Sequence, residues 1–278
     1  MRKLSALLLL AIIPVVYTAC QNNQTEEKQT RLVWSEEFEE DSRPNPENWG
    51  YETGFVRNNE LQWYQPDNAW IEDGMLIIEG RREQTENPNY DPESDDWREN
   101  REFAEYTSTS MRTRGLQSWQ FGRFEIRARI DVRDGMWPAW WTLGVDGSWP
   151  HNGEIDILEY YDGVILANAA WGTEELWAPE WDDVRISISE LGENWADEFH
   201  TWRMDWDEDY VRIYLDDELL NEVDLSETIN PDGTNPFHQP HYMLVNLAIG
   251  GNQGGDPSAT EFPSRYEIDY IRVYEWVD

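Results

Sequence analysis

The chain has 278 residues and carries 57 Asp plus Glu against 21 Lys plus Arg, a formal net charge of −36. A field of this sign repels polyanions, which excludes nucleic acid as a partner. Aromatic residues make up 14% and include 17 Trp, too much apolar surface for a disordered acidic chain. The length suits one folded domain with a tail, and we expect a monomer.

The N-terminus has the pattern of an export signal. A basic start at Arg2 and Lys3 precedes an apolar run from Leu4 to Val16, which is too short to span a bilayer. Residues 1–19 resemble a bacterial lipoprotein signal peptide, with Cys20 as the acylated residue. The sequence therefore predicts export and lipid anchoring to the bacterial cell envelope, with no other membrane contact. Simple secretion with Cys20 unmodified is the alternative.

Residues 20–30 are polar and without periodicity, as in a flexible tether, so we expect a single domain over 31–278. Its apolar residues alternate with polar ones at period two, which favours half-buried strands. Strands separated by Gly, Pro, Asn and Asp predict an all-β sandwich, and an acidic stretch from Glu83 to Glu105 is predicted to be a surface loop. The predicted strands are Gly74–Gly80, Phe124–Ile130, Glu154–Tyr160, Tyr210–Leu215, Glu218–Val223, His241–Ile249 and Tyr266–Trp276.

One predicted strand carries three carboxylates, Glu154, Asp156 and Glu159, among apolar residues. On a regular strand the first two share a face and Glu159 points to the other. A one-residue β-bulge at Ile157-Leu158 would return Glu159 to their face. Three adjacent carboxylates repel, so one would keep a proton while another stays ionised, the acid and nucleophile that glycoside hydrolysis needs. Without the bulge, two inward acids would bind a cation and the third would face water.

Tryptophans crowd beside this strand, at Trp137, Trp140, Trp141 and Trp149. Sugar rings have an apolar face and a polar rim, which suits an aromatic floor edged by polar groups. Because Trp140 alternates with Trp141, we expect Trp140 in the core and the others toward a carbohydrate cleft.

From Trp34 to Tyr274 the chain resembles glycoside hydrolase family 16, close to its laminarinase-type members, and Glu154–Glu159 matches the family's active-site signature. The resemblance implies a β-jelly roll of two antiparallel sheets with a concave substrate cleft. It makes Glu154 the nucleophile, Asp156 the residue that tunes it, and Glu159 the general acid/base. It also implies sugar contacts at Asn58, Trp137, Trp141 and Trp171, and a cleft wall at Trp149.

The same resemblance implies a structural calcium, held by Glu37, the Gly74 carbonyl and Asp269, with no cofactor for catalysis; as isolated residues, the two acids would be solvated. Two departures from the family pattern affect substrate choice. Leu166–Trp171 lacks the two His usual in laminarinases, and Gln253 stands where an acceptor-side Trp is common.

The sequence therefore predicts an endo-acting retaining hydrolase of β-1,3- or mixed-linked β-glucan. A hydrolase of marine galactans such as agar is one alternative, and a catalytically silent glycan-binding lipoprotein is another. Lysine is nearly absent, with only Lys3 and Lys28. Together with the acid excess, this favours a protein adapted to high salt, although an ordinary acidic secreted protein remains the alternative.

Overall fold

The computed structural model describes residues 28–277, so the predicted signal peptide and Cys20 lie outside the described residues. The described part consists mainly of strands, with two four-residue α-helices, α1 (Ile188–Leu191) and α2 (Gly251–Gly254). The strands are β1 (Gln29–Glu36), β2 (Gly50–Tyr51), β3 (Gln62–Tyr64), β4 (Ala69–Glu72), β5 (Met75–Gly80), β6 (Thr85–Glu86), β7 (Phe103–Ala104), β8 (Tyr106–Ser108), β9 (Ser110–Arg112), β10 (Gly122–Arg129), β11 (Met136–Gly144), β12 (Glu154–Tyr161), β13 (Val164–Gly172), β14 (Pro179–Ser187), β15 (His200–Trp206), β16 (Tyr210–Leu215), β17 (Glu218–Asp224), β18 (His241–Ile249) and β19 (Ser264–Val277).

Two large antiparallel sheets pack face to face, which confirms the predicted all-β sandwich and its jelly-roll class. One has the strand order β17-β16-β15-β10-β19-β5-β4, with β1 also paired to β19. The other has the order β14-β13-β12-β11-β18-β9-β2. Because β12 lies inside this seven-stranded sheet, with a partner on each side, its side chains are held from both edges.

The alternation of β10 shows how the core forms. Phe124, Ile126 and Ala128 are completely buried between the sheets, while Glu125 and Arg127 stay partly exposed on the outer face. Burial of each large side chain contributes roughly 1.5–3 kcal/mol. Trp140 of β11 is completely buried in the same core, as its alternation predicted.

The first strand of the structure begins inside the segment 20–30 that was predicted to be a tether. β1 begins at Gln29, and its first two residues pair with Val277 and Trp276 of β19. β1 thus overlaps the last two residues of the predicted tether, because the C-terminal strand offers a pairing edge that sequence alone does not show.

The acidic stretch 83–105 is a loop closed at its base by the pairing of β6 with β7. It is tied to the turn before β3 by Arg101, which donates to the Glu60 carbonyl at 2.8 Å. The Arg101 guanidinium also lies over the Trp97 ring, 4.9 Å from its centroid. This loop is therefore part of the wall that supports the turn carrying Asn58.

The described residues contain no helix of the length and apolarity that a membrane crossing requires. The outer face of the eight-stranded sheet carries ion pairs between neighbouring strands, such as Arg123 with Asp205 at 2.7 Å and Arg212 with Glu222 at 2.6 Å. Partly exposed pairs of this kind contribute little and weaken with salt.

We expect salt to stabilise the fold, because 21 basic residues can neutralise at most 21 of the 57 acids. Screening of the remaining repulsion outweighs the weakening of the surface pairs. The Tm should rise by about 2–4 °C or more from low to molar NaCl, the shift produced by about 1 kcal/mol in a domain of this size. Calorimetry at a series of NaCl concentrations measures this, and a flat or falling Tm would refute adaptation to salt.

Candidate active site

The strand β12 contains the β-bulge that its sequence predicts. Along the neighbouring β11, Trp141 pairs with Asp156 and Trp140 pairs with Leu158, so Ile157 is the additional residue of β12. The register with β13 shifts at the same place. Ile157 and Leu158 are both completely buried in the core, because the bulge turns two consecutive side chains to one face.

The consequence is that Glu154, Asp156 and Glu159 all line one cleft on the outer face of the seven-stranded sheet. This cleft has a volume of about 630 Å³. The alternative arrangement, in which Glu159 points away from the other two acids, does not occur. Three of the predicted sugar contacts, Asn58, Trp137 and Trp141, also line the cleft, and so does Trp149, the predicted cleft wall.

Two tryptophans hold the outer carboxylates. The Trp149 indole donates from Nε1 to Glu154 Oε2 at 2.8 Å, and the Trp137 indole donates from Nε1 to Glu159 Oε1 at 2.8 Å. Asn168 of β13 donates to the second oxygen of Glu159 at 3.3 Å. Each indole N–H therefore fixes the position of one of the two outer carboxyl groups.

Burial raises the pKa of all three acids, since it penalises their charged forms. The pKa of Asp156 is raised well above its usual range, first by burial and then by the charges of Glu154 and Glu159. For Glu154, burial and the charge of Glu159 raise the pKa, while the hydrogen bond from Trp149 lowers it. Because each negative charge raises the pKa of its neighbours, simultaneous ionisation of all three acids is disfavoured.

Arg57 lies beside the cleft floor. Its guanidinium stands 5.2 Å from the Trp141 ring centroid and donates a hydrogen bond to Glu52. The Trp141 indole in turn donates to Asn246 Oδ1 at 2.8 Å. Trp141 is therefore fixed through its ring and its N–H, and the positive charge of Arg57 lowers the pKa of Glu154.

The edge strand β14 forms the far side of the cleft through Trp181, Asp183 and Arg185. Arg185 donates to Asp183 at 2.9 Å. In register, Asp183 lies opposite Asn168, which lies opposite Asp156. The cleft is thus lined by rows of side chains that run across β11, β12, β13 and β14.

An acid and a nucleophile on one face, inside an aromatic cleft, are the groups that glycosidic bond cleavage requires. A family model described as glycosyl hydrolases family 16 matches residues 84–272. The chain belongs to this family.

Proteins similar to this chain cover nearly the whole domain. A beta-glucanase from Rhodothermus marinus is 35% identical over 271 residues, which cover 89% of this chain and 86% of that protein. The catalytic domain of an endo-1,3-beta-glucanase (laminarinase) from Thermotoga petrophila RKU-1 aligns with a TM-score of 0.76 and 33% identity, over 91% of this chain and 100% of that one. A structure from a study of endo-acting O-glycanases, with which human gut bacteria initiate mucin breakdown, aligns with a TM-score of 0.81 and 35% identity, over 89% and 91% of the two chains.

The structure does not place Trp171 in this family 16 cleft, contrary to the expectation from sequence. Trp171 packs against the core between the sheets. On β13 it shares its face with the core residues Ala167 and Ala169, while Asn168 faces the cleft. Strand alternation thus assigns Trp171 to the inside.

Several cleft residues were not identified from sequence, because they come from segments far apart in the chain. Asn246 is on β18, Tyr161 follows the acids on β12, and Arg57 precedes the predicted contact Asn58. Gln253, noted above only as a departure from the family 16 pattern, also lines the cleft. β18 was predicted as a strand, but it is buried along its whole length, so its sequence does not show which face Asn246 occupies.

The three residues predicted for calcium are engaged in other ways. Both oxygens of Glu37 accept from Arg272, at 2.7 and 2.9 Å, and Asp269 accepts from Arg127 at 2.6 Å. The hydrogen bond from Arg272 lowers the pKa of Glu37. Gly74, with φ +76°, lies in the tight turn between β4 and β5. Residues 28–277 contain no group of three or more His, Cys, Asp or Glu that could hold a metal, so they offer no preformed set of carboxylate ligands.

Calcium remains a prediction, and removing the metal tests it. If calcium binds the folded state alone, a chelator should lower the free energy of unfolding by about 2.7 kcal/mol relative to a calcium concentration 100 times the Kd. Thermal unfolding with and without EGTA measures the loss, and elemental analysis counts the metal. An unchanged Tm in a protein without calcium would refute the site.

Proposed function

We propose that the protein is an endo-acting retaining glycoside hydrolase of β-1,3- or mixed-linked β-glucan. One observation carries this proposal: the bulge in β12 brings Glu154, Asp156 and Glu159 to one face of a cleft lined by tryptophans. The similarity to a beta-glucanase and to a laminarinase supports the choice of glucan.

In the proposed mechanism, a carboxylate oxygen of Glu154 attacks the anomeric carbon while protonated Glu159 donates its proton to the departing glycosidic oxygen. The attack forms a glycosyl ester on Glu154. Glu159, now ionised, takes a proton from water, whose oxygen displaces Glu154 and restores the β configuration. The charge of Glu159 acts on the pKa of Glu154, so the two carboxyl groups are neighbours in the cleft, which favours double displacement over direct attack by water.

Asp156 has the role of a positioning residue between the two glutamates. Burial and both neighbouring charges raise the pKa of Asp156, which favours its protonated form. A neutral Asp156 adds no third negative charge beside the nucleophile. Its proton can then be directed toward Glu154, which would moderate the basicity of that carboxylate.

Release of reducing ends from a panel of polysaccharides tests the function. We expect cleavage of laminarin or lichenan, with a rapid fall in viscosity because internal bonds are cut. Cleavage of agarose alone would instead support the galactan alternative, and binding without any cleavage would support the glycan-binding alternative. The latter is disfavoured because a lectin gains nothing from three mutually repelling carboxylates in one cleft.

We also propose that the mature protein is anchored by acylated Cys20 and acts at the bacterial cell envelope. One acyl chain binds a membrane only marginally, so more than one is implied. Mass spectrometry of the protein from its native host should find a lipid-modified N-terminal Cys20. Cys20→Ser should release the enzyme in soluble form, and an unmodified Cys20 in the native protein would contradict the anchor.

A further inference from the structure

The hairpin between β13 and β14 exposes large apolar side chains at the edge of the cleft. Leu176 is 77% exposed and Trp177 60%, and Trp181, on the following strand, is 40% exposed. All the other tryptophans of the chain are buried or half-buried. On a protein with a net charge of −36, exposed apolar groups gathered on one hairpin indicate a contact surface.

The backbone at Trp177 supports this interpretation independently. Its φ is +64°, a left-handed conformation that bulky side chains rarely adopt. The turn is held by hydrogen bonds from the Ala178 N–H to the Glu175 carbonyl at 3.2 Å and from the Thr173 hydroxyl to the Ala178 carbonyl at 2.7 Å. The left-handed backbone at Trp177 is unfavourable and leaves the indole in solvent. Packing of the core does not explain this conformation, because the indole is not part of the core.

The position of the hairpin connects it to the catalytic acids. Trp181 pairs with Ala170, and Ala170 pairs with Glu154. Since neighbouring strands lie about 4.8 Å apart, the Cα atoms of Trp181 and Glu154 are about 10 Å apart. Trp177 precedes Trp181 by four residues, at most about 14 Å along the chain. Trp181 thus lines the cleft two strands from Glu154, and Trp177 lies on the hairpin that leads into the same edge strand.

The charge around this surface selects the kind of ligand. Asp183 lies on the cleft face of β14, and the neighbouring Arg185 is already paired with it. An anionic sugar would find no free cation there and would meet the negative field of the whole protein. Neutral hexose rings, with an apolar face for the indoles and hydroxyls for Asp183, match both features.

We propose that Trp177 and Trp181 form an outer subsite that binds a neutral segment of the glucan chain beyond the units at the reacting bond. This inference rests on the proposed function and adds an outer determinant of substrate length. The subsite should contribute to the binding of long chains and not to the chemical step.

The test compares Trp177→Ala with the parent enzyme on laminarin and on the shortest laminari-oligosaccharide that is cleaved. We expect the KM for laminarin to rise about tenfold with kcat unchanged, so that the preference for polymer over oligosaccharide falls by the same factor. Leu219→Ala is the matched control, because Leu219 is 50% exposed on β17 of the opposite sheet. This control should leave both substrates unaffected.

Binding to the inactive Glu154→Gln protein separates the two proposals. Affinity electrophoresis in laminarin should show retardation that Trp177→Ala reduces. If laminarin is cleaved but Trp177→Ala behaves as the parent, the subsite is refuted while the enzyme function stands. The subsite is also refuted if Trp177→Ala lowers kcat on the short oligosaccharide as much as it impairs the hydrolysis of laminarin. It is refuted likewise if Trp177 is needed for binding to neutral lipid vesicles and not to laminarin. No cleavage or binding of any glucan would refute the proposed function itself.

Discussion

Glu154→Ala is expected to abolish hydrolysis of every substrate, with kcat falling by about 10⁴-fold or more, because no covalent intermediate can form. The alanine leaves space beside the anomeric carbon. Added azide should enter that space and restore cleavage, giving a glycosyl azide of inverted configuration. Measurement of kcat with and without azide, with NMR of the product, tests both points.

The control for this substitution is Glu180→Ala. Glu180 is an exposed glutamate of β14 that pairs with Trp171 and is absent from the cleft lining. Its loss also removes one negative charge, but two strands away from β12, and should leave kcat unchanged. A Glu154→Ala enzyme that keeps more than about a tenth of its activity would exclude Glu154 as the nucleophile.

Glu159→Ala should lower polysaccharide hydrolysis by about 10²–10⁴-fold, the usual contribution of a general acid. Substrates with good leaving groups need little protonation, so their first step should be nearly normal. Burial raises the pKa of Glu159, so its acid form is present below that raised pKa and is lost as pH rises through it. In the parent enzyme kcat/KM should therefore fall at alkaline pH, and in the variant this alkaline limb should disappear.

Either of two results would contradict the roles assigned to Glu159 and to the retaining mechanism. The alkaline limb could persist in Glu159→Ala, in which case another group is the acid. The first-formed product of the parent enzyme could carry an α-configured reducing end from a β-linked substrate. Proton NMR during the first minutes would show that outcome, and the retaining mechanism would then be wrong.

The most specific part of the site was predictable because it depends on local sequence. Glu154 and Glu159 have opposite parity on a regular strand, so a shared face required an additional residue between them. The apolar pair Ile157-Leu158 identified where that residue had to be. The strands of the sandwich core were predictable for the same reason, since their alternation records which face is buried.

The edge strand β14 was not predicted, because its apolar and polar residues do not separate onto two different faces. Its cleft-side residues Trp181 and Asp183 alternate with Glu180 and Asp182, so both faces look polar. The prediction that Trp171 lies in the cleft came with the family resemblance and took no account of its position in the strand alternation. Counting from Asn168, which faces the cleft, would have assigned Trp171 to the core face.

The supports of the cleft floor could not be predicted from any single segment. Arg57 precedes β3, Trp141 lies on β11 and Asn246 on β18, and they meet because β11 pairs with β18. Their contacts depend on the order of strands in the sheet. Sequence patterns define each strand but give no direct record of that order.

All three acids stand on six consecutive residues of a strand that is paired along both edges. Their mutual distances are therefore set by one stretch of backbone and do not depend on how separate loops dock against each other. The cleft walls that would contact the remaining sugar units, namely the turn at Asn58 and the edge strand β14, belong to other segments of the protein. Insertions and substitutions in those walls can change which polysaccharide fits without disturbing the reaction. This separation is a physical route by which one scaffold can diversify its substrates while the hydrolytic chemistry stays constant.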